Sequence, residues 1–275
     1  MSVPKFETLE ITLFPSGVCE MAFNRPHILN ALSAQTYQDW LNFVKWAAAA
    51  DSVKVVVFIG RGRFYSAGQE LAKPDFSPQG VAKNSERREV VKGLVHELIK
   101  FPKLLIAAVN GGAYGFGVTT LALCDVVYCV PSATFTTPFM KLGFAAEGCS
   151  SYLFPKIMGH SRANEMLLMG RTFSAQEAIE SGFVSRSYPE EGFRETVLGL
   201  AEDAAKFSAD ALAVTKKLTR DAERDLLHRV NEEEMARLTE RNASKESIET
   251  VMRFAEEAER KREEKRKAKE QKSKL

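Results

Sequence analysis

The sequence is short of the residues that build metal sites and disulfide frameworks. Its 275 residues include four cysteines and four histidines. No two cysteines form a CxxC pair, and Cys124, Cys129 and Cys149 lie among apolar or small residues, which is typical of buried free thiols in a reducing compartment. The histidines lack HxxxH spacing and neighbouring ligand residues, so we expect no metal ion.

A large excess of charge and a long hydrophobic run are also missing. Lysine and arginine total 38 against 36 for aspartate and glutamate, which leaves a net charge of +2 and argues against a general nucleic-acid binder. The N-terminal residues do not resemble a signal peptide, and no apolar run reaches the roughly 18 residues of a bilayer span. We therefore expect neither a nucleic-acid partner nor a membrane span.

Two glycine-rich loops lack the complete motifs of nucleotide-binding proteins. They are "GRGRFYSAGQEL" at residues 60–71 and "NGGAYGFGVTT" at residues 110–120. Tyr65 and Thr120 stand where a G-x-G-x-x-G motif needs its third glycine, and the chain has no Gly-Lys-Ser/Thr sequence. We therefore expect no nucleotide cofactor. Such loops let a ligand approach main-chain N–H groups closely, and two convergent N–H donors are the usual components of an oxyanion hole.

The order of hydrophobic patterns predicts an α/β fold. Alternating segments at 8–14 and 18–23, joined by Pro-Ser-Gly, predict a hairpin, and a helix follows Ser33. Continuous apolar runs at 53–60, 104–110 and 124–130 are typical of buried parallel strands. Residues 69–88 are interpreted as a polar connection before a helix at 89–100. The alternation indicates repeated β-β-α units.

The remainder of the chain is predicted to be helical. Helices are expected at 193–207, 210–226 and 230–258, and such an appendage often serves subunit contacts. We divide the chain into a core at 1–190, a helical region at 191–258 and a charged tail at 259–275, which we expect to fray into solvent. The last residues, Ser273, Lys274 and Leu275, match a peroxisomal address read by an import receptor. The alternative is that a lysine-rich tail ends this way by chance.

Four ordered segments resemble the successive signatures of one family. They are "NRPHILNALS" at 24–33, "GRFYSAGQEL" at 62–71, "AAVNGGAYGFGVTTLALCDVVY" at 107–128 and "RTFSAQEAIESGFV" at 171–184. Together they resemble the crotonase (enoyl-CoA hydratase/isomerase) superfamily over about residues 8–225. The resemblance implies the crotonase fold, a spiral of β-β-α units with a helical C-terminal trimerisation region. It also implies an acyl-CoA thioester substrate, of which coenzyme A is a part, and a homotrimer or hexamer.

The resemblance also assigns site residues. The family holds the thioester oxygen with two main-chain N–H groups, which by position would be those of Gln69 and Phe116. The further substrate-binding positions that the matched segments imply are Ser66, Ala67, Gly68, Glu70 and Gly115.

The acids of the resembling segments favour isomerisation over hydration. Hydratases of the family carry two glutamates, at positions that correspond here to Thr119 and Phe139, and neither of these side chains can transfer a proton. Residues 137–159 instead resemble the peroxisomal Δ3,Δ2-enoyl-CoA isomerase branch, in which a single catalytic glutamate corresponds to Glu147. The resemblance therefore implies a peroxisomal isomerase of fatty-acid β-oxidation, which agrees with the C-terminal tripeptide.

The residues themselves leave alternatives for Glu147. It lies among apolar and small residues, which would desolvate a carboxylate and raise its proton affinity. It could instead be a first-turn acid that stabilises a helix dipole, and Glu70 is the competing carboxylate. Two other functions remain open at this point: hydration by an acid pair that includes Glu70 and Glu147, and acyl-CoA binding without catalysis.

Overall fold

The computed structural model describes residues 2–71, 75 and 77–272. Within these residues the chain forms ten strands and nine α-helices. The strands are β1 (Leu9–Leu13), β2 (Val18–Phe23), β3 (Val55–Gly60), β4 (Phe64–Ser66), β5 (Leu104–Val109), β6 (Gly112–Tyr114), β7 (Val126–Cys129), β8 (Thr134–Thr136), β9 (Phe173–Ser174) and β10 (Arg186–Ser187). The helices are α1 (Ala34–Ala49), α2 (Pro78–Ile99), α3 (Phe116–Thr119), α4 (Phe139–Leu142), α5 (Ser150–Leu167), α6 (Ala175–Glu180), α7 (Phe193–Ala205), α8 (Ala209–Asn242) and α9 (Lys245–Lys272).

The strands form two sheets. The larger sheet has the order β1-β2-β3-β5-β7-β10, and the smaller has the order β4-β6-β8-β9. The β1-β2 and β8-β9 pairs are antiparallel, and the other pairs are parallel. The central strands β3 and β5 are buried along nearly their whole length, as their continuous apolar sequences predict for strands covered on both faces.

Three successive units repeat one path between the sheets. In β3-β4-α2, β5-β6-α3 and β7-β8-α4, the first strand joins the larger sheet, the second joins the smaller sheet, and a helix follows. This repetition confirms the predicted α/β fold of β-β-α units. Because β4, β6 and β8 are adjacent and parallel, their carboxyl ends lie at one edge of the smaller sheet. In α/β sheets that edge is where ligands usually bind.

An aromatic cluster joins the hydrophobic core to this edge. The ring of Trp40, on α1, lies 5.5 Å from that of Phe58 on β3 and 5.9 Å from that of Phe116. Tyr37 packs edge to face on Phe116 at 5.3 Å. All four side chains are at most 1% exposed. The start of α3 is therefore anchored on a rigid support.

Two element boundaries differ from the sequence prediction. Helix α2 begins at Pro78, eleven residues before the predicted start, because Ser77 caps it by accepting a hydrogen bond from the Gly80 amide and proline fits the first helical turn. Helix α8 is continuous through the predicted break at 226–230, where the sequence has neither glycine nor proline. The break occurs at Ala243 and Ser244 instead.

The remaining sequence expectations concern the tail and the cysteines. The four cysteines are buried and free. No helix in the described part of the chain combines the length and apolar character needed to cross a bilayer. Helix α9 extends through most of the predicted tail, to Lys272. The address tripeptide at 273–275 lies outside the described residues.

Candidate active site

The site lies in a cavity of about 850 Å³ at the edge where β4, β6 and β8 end. Each strand is followed by a segment that contributes to the lining. Gln69 follows β4, Phe116 follows β6, and Glu147 lies on the longer connection that follows β8 and α4. The structure therefore brings the three residues assigned to the reaction by resemblance to one cavity.

The first loop presents the main-chain N–H of Gln69 to the cavity. A parallel bridge fixes this loop: the Leu32 amide donates to Gly68 O at 2.8 Å, and the Glu70 amide donates to Leu32 O at 3.0 Å. Successive amides of an extended chain point to opposite sides, so the Gln69 N–H points away from Leu32. Among the described residues it has no hydrogen-bond acceptor.

Gly68 makes this loop geometry possible. Its φ is +75°, and a Cβ added there would lie 2.7 Å from the Tyr114 carbonyl oxygen. Only glycine combines that conformation with so close an approach. The first loop thus packs directly on the second, which keeps the amides of Gln69 and Phe116 in a fixed relation.

The second loop presents the N–H of Phe116 at the start of α3. Its neighbours are committed elsewhere, because the Gly115 amide donates to Thr136 O at 2.8 Å and the Thr119 amide donates to Gly115 O at 3.1 Å. The Phe116 N–H itself has no acceptor within the described chain, as expected for the first amide of a helix. Two unfilled amides on neighbouring strand ends can act as an oxyanion hole.

Glu147 is a buried carboxyl group without a hydrogen-bond or ion-pair partner for its side chain among the described residues. It is 8% exposed. Burial and the negative charge of Glu234 raise the pKa of Glu147 to about 8, and the positive charge of Arg87 opposes this shift. Such a group takes up and releases a proton near neutral pH, which suits a residue that acts as base and then as acid.

The chain behind Glu147 packs on the position that holds a glutamate in hydratases. Gly148 has φ +67°, and a Cβ there would lie 2.6 Å from Thr119 Oγ1. The Thr119 hydroxyl is buried and donates to Phe116 O at 3.3 Å. Phe139 lines the cavity. Neither position offers a second proton carrier.

The other residues assigned by resemblance occupy different places. Ala67, Gly68 and Gly115 line the cavity with Gln69. Ser66 is fully buried below the loop, where its hydroxyl donates to Asn30 O at 2.9 Å and accepts from the Gly68 amide at 3.1 Å. These bonds make Ser66 a support for the loop and not part of the cavity lining.

Glu70 differs from Glu147 although both line the cavity. Its side chain is 46% exposed and forms an ion pair with Arg25 at 3.1 Å. Glu70, the alternative candidate for the catalytic acid, therefore has the environment of a surface ion pair.

Sequence reasoning missed three residues that are coupled electrostatically to Glu147. After burial, Glu234 and Arg87 shift the pKa of Glu147, Glu234 upward and Arg87 downward. Burial and then the negative charge of Glu147 raise the pKa of the Tyr37 hydroxyl. In the sequence, Tyr37 is one of several apolar positions of a helix, and Glu234 is one of three consecutive glutamates. No local signal distinguishes them.

No cluster of three metal-ligating side chains occurs in the part of the chain that the structure describes. The groups that converge on the cavity are two amides and one unpartnered carboxyl group. This combination suits proton transfer next to a carbonyl whose oxygen gains negative charge.

Comparisons with known proteins agree with this arrangement. The family described as Enoyl-CoA hydratase/isomerase matches residues 14–265. The chain is 41% identical to "Enoyl-CoA delta isomerase 2" of Rattus norvegicus, with 86% of this chain and 61% of that protein covered. It is 38% identical to "Enoyl-CoA delta isomerase 3, peroxisomal" of Mus musculus, with 86% and 75% covered. The chain thus spans less than two thirds of the length of the rat protein.

Solved structures give the same result for the fold. The crystal structure of an enoyl-CoA hydratase/isomerase from Pseudoalteromonas atlantica T6c superposes with a TM-score of 0.81 at 27% identity, with 91% of this chain and 98% of that chain covered. The spiral of β-β-α units is therefore the crotonase fold, as the sequence resemblance implied. From the family match, the identities and the superposition, we conclude that this chain belongs to the enoyl-CoA hydratase/isomerase family.

Proposed function

We propose that the protein is a Δ3,Δ2-enoyl-CoA isomerase, which moves the double bond of a 3-enoyl-CoA thioester to the 2-trans position. The observation that carries the proposal is the unpartnered, buried carboxyl group of Glu147 in a cavity with two unfilled amides. The names of the rat and mouse relatives support the same reaction.

One carboxylate is sufficient for this chemistry because no water is added. Glu147 takes a proton from C2, the C2–H electrons form the C2=C1 bond of a dienolate, and the thioester oxygen gains the negative charge. The amides of Gln69 and Phe116 stabilise that charge, and each such donor contributes roughly 3–4 kcal/mol in other enzymes. The dienolate then collapses: C4 takes the proton back from Glu147 and the new double bond lies between C2 and C3.

The lining of the cavity fits both ends of an acyl-CoA. Apolar side chains suited to an acyl chain come from α4 and the C-terminal helices, and they include Leu142, Leu238 and Phe254. Arg63 and Lys141 also line the cavity, and their positive charges suit the phosphates of coenzyme A. We assign the thioester to the middle, between the two amides.

Assembly and location extend the same proposal. We infer a homotrimer or hexamer, with residues 191–258 in the subunit contacts, and a peroxisomal matrix enzyme of fatty-acid β-oxidation. The name of the mouse relative supports the location, and so does the sequence of Ser273, Lys274 and Leu275 as an import-receptor address. Light scattering of the purified protein and the location of a variant without these three residues test the two parts.

The products of 3-hexenoyl-CoA test the reaction. The proposal predicts 2-trans-hexenoyl-CoA, followed by its conjugated-thioester absorbance and by mass spectrometry, with no gain of water. 3-Hydroxyhexanoyl-CoA as the main product would identify a hydratase instead. Tight binding of the thioester without any product would identify a non-catalytic acyl-CoA-binding protein.

A further inference from the structure

Glu234 is a second buried glutamate close to Glu147, and it comes from a different part of the chain. It lies on α8, in the helical C-terminal region, and is 6% exposed. Its Oε2 accepts a hydrogen bond from the Cys149 amide at 2.7 Å, and its Oε1 accepts one from the Ser151 amide at 2.9 Å. These amides lie two and four residues after Glu147, where α5 begins.

The segment that Glu234 holds has an unfavourable backbone conformation. Cys149 has φ +62°, in the left-handed region, although it is not glycine. Such a residue persists only where its surroundings hold it in place. The first amides of a helix also need acceptors from outside the helix. Glu234 supplies two of them, and the Cys149 thiol donates to Leu227 O, also on α8, at 3.4 Å.

The hydrogen bonds also affect the protonation state of Glu234. Burial raises the pKa of Glu234, and the hydrogen bonds from the Ser151 and Cys149 amides to its two carboxyl oxygens oppose that shift because they stabilise the ionised form. Among the described residues, no lysine, arginine or histidine forms an ion pair with it.

We propose that Glu234 is a positioning residue for the catalytic base: by holding the Cys149 and Ser151 amides it fixes where Glu147 enters the cavity. The inference rests on the proposed isomerase function and deepens it, since it makes helix α8 a part of the site. Within that function, the C-terminal helical region serves the reaction as well as any subunit contact.

The charge of Glu234 has a second effect on the same site. Two charged groups act on Glu147, Glu234 from α8 and Arg87 from α2, and the Tyr37 hydroxyl of α1 lies in the field of Glu147. After burial, the negative charge of Glu234 is the next cause of the raised pKa of Glu147, and Arg87 opposes it. A stronger proton affinity makes Glu147 a stronger base towards a weakly acidic C2 proton.

A matched control exists on the same two helices. Glu223 of α8 accepts a hydrogen bond from the Tyr152 hydroxyl at 2.8 Å and forms an ion pair with Lys156 on α5. It thus also joins α8 to α5 through a carboxylate. It acts on side chains further along α5 and not on the amides next to Glu147, whose raised pKa arises from burial and Glu234.

The test compares Glu234→Gln, Glu234→Asp and Glu223→Gln with the wild type. Glu234→Gln loses the charge and one acceptor, so we expect kcat for 3-hexenoyl-CoA to fall about 10- to 100-fold with KM nearly unchanged, as misplacement of a reacting group does. The pH midpoint of kcat/KM should move down. Glu234→Asp keeps the charge but reaches less far, so kcat should fall while the midpoint stays closer to that of the wild type. Glu223→Gln should leave both unchanged.

A readout without turnover separates this inference from the proposed function. Infrared difference spectra between each protein and its Glu147→Gln counterpart report the titration of the Glu147 carboxyl group, whether or not the protein is an isomerase. The midpoint should fall in Glu234→Gln and stay in Glu223→Gln. A midpoint that is the same in wild type and Glu234→Gln, or a Glu234→Gln variant that loses only thermal stability and keeps its kcat, would overturn the inference. Absence of isomerisation by the wild type, with the shifted midpoint present, would refute the function alone.

Discussion

Two buried glutamates, Glu20 and Glu147, have opposite environments. Glu20 lies on β2 in the larger sheet with its side chain fully buried, and it forms ion pairs with Arg61 at 2.6 Å and Arg194 at 2.7 Å. Glu147 lies at the edge of the smaller sheet, is 8% exposed and has no such partner in the described chain. Burial of an acid is therefore not by itself a sign of function. The lack of a partner is such a sign, because an unpaired buried carboxyl group lowers the stability of the fold and serves no purpose in folding.

The largest expected effect is on the reaction. Glu147→Gln removes the proposed base and acid together, so kcat for 3-hexenoyl-CoA should fall by about three orders of magnitude, in the middle of the range that acid–base groups contribute. Because the two amides remain, KM should change by less than about threefold. Steady-state kinetics on the purified variant measure both. A kcat within tenfold of the wild type would show that Glu147 is not the catalytic base. The functional difference between Glu147 and Glu20 would then be refuted as well.

The second effect is on stability and belongs to the other glutamate. Glu20→Gln leaves Arg61 and Arg194 without their shared carboxylate, so the free energy of unfolding should fall by about 2–4 kcal/mol. The expected loss extends below the roughly 3–5 kcal/mol for breaking a fully buried pair, because both guanidinium groups are partly exposed. Urea unfolding measures the loss. The kcat of the folded fraction should stay near that of the wild type, and a loss comparable to that of Glu147→Gln would break the comparison.

The pH dependence of the reaction should follow Glu147. Since burial and Glu234 raise its pKa to about 8, the carboxylate form needed to accept a proton is a minority at neutral pH. In the free enzyme, kcat/KM should therefore fall as pH decreases below 8 and be roughly 100-fold lower at pH 6 than on the plateau. A pH–rate profile from 6 to 10 checks this. A flat profile would indicate a base with an ordinary carboxyl pKa.

The last effect is the stability cost of Glu147 itself. A carboxyl whose pKa is near 8 when folded and near 4.5 when unfolded binds its proton more tightly in the folded state, so the free energy of unfolding decreases as pH rises through that interval. Glu147→Gln should therefore unfold at a higher urea concentration than the wild type at pH 9, and it should show no gain near pH 4. A variant that is less stable than the wild type at pH 9 would contradict the description of Glu147 as an unpaired buried acid.

The sequence predicts the fold better than it predicts the environment of the site. Apolar strands are local patterns, and they place β3 and β5 correctly in the larger sheet. The amides of Gln69 and Phe116 were assigned by the family resemblance, and both residues line one cavity. The start of α2 could also have been predicted, since Ser77 and Pro78 form an N-terminal capping signal in the sequence. The hydrophobic pattern of this helix is weak, however, and for that reason its first three turns were predicted as a polar connection.

Glu234 illustrates what the sequence could not predict. It follows two other glutamates in a charged helix, a pattern typical of a solvated face. Its burial arises because α8 crosses the start of α5, a contact between residues more than 80 positions apart in the chain. The same holds for the proximity of Tyr37 and Arg87 to Glu147. Long-range packing decides which acid of a charged run is buried, and no local pattern records it.

The central claim is that one carboxylate carries the proton from C2 to C4. It is tested most directly with 3-hexenoyl-CoA that bears deuterium at C2, turned over in ordinary water by the wild-type protein. Because Glu147 is buried and unpaired, we predict that mass spectrometry locates a substantial fraction of the deuterium at C4 of the 2-trans product. Complete loss of the abstracted deuterium to water in every turnover, with only solvent hydrogen at C4, would contradict a direct transfer by one carboxyl group that is shielded from solvent.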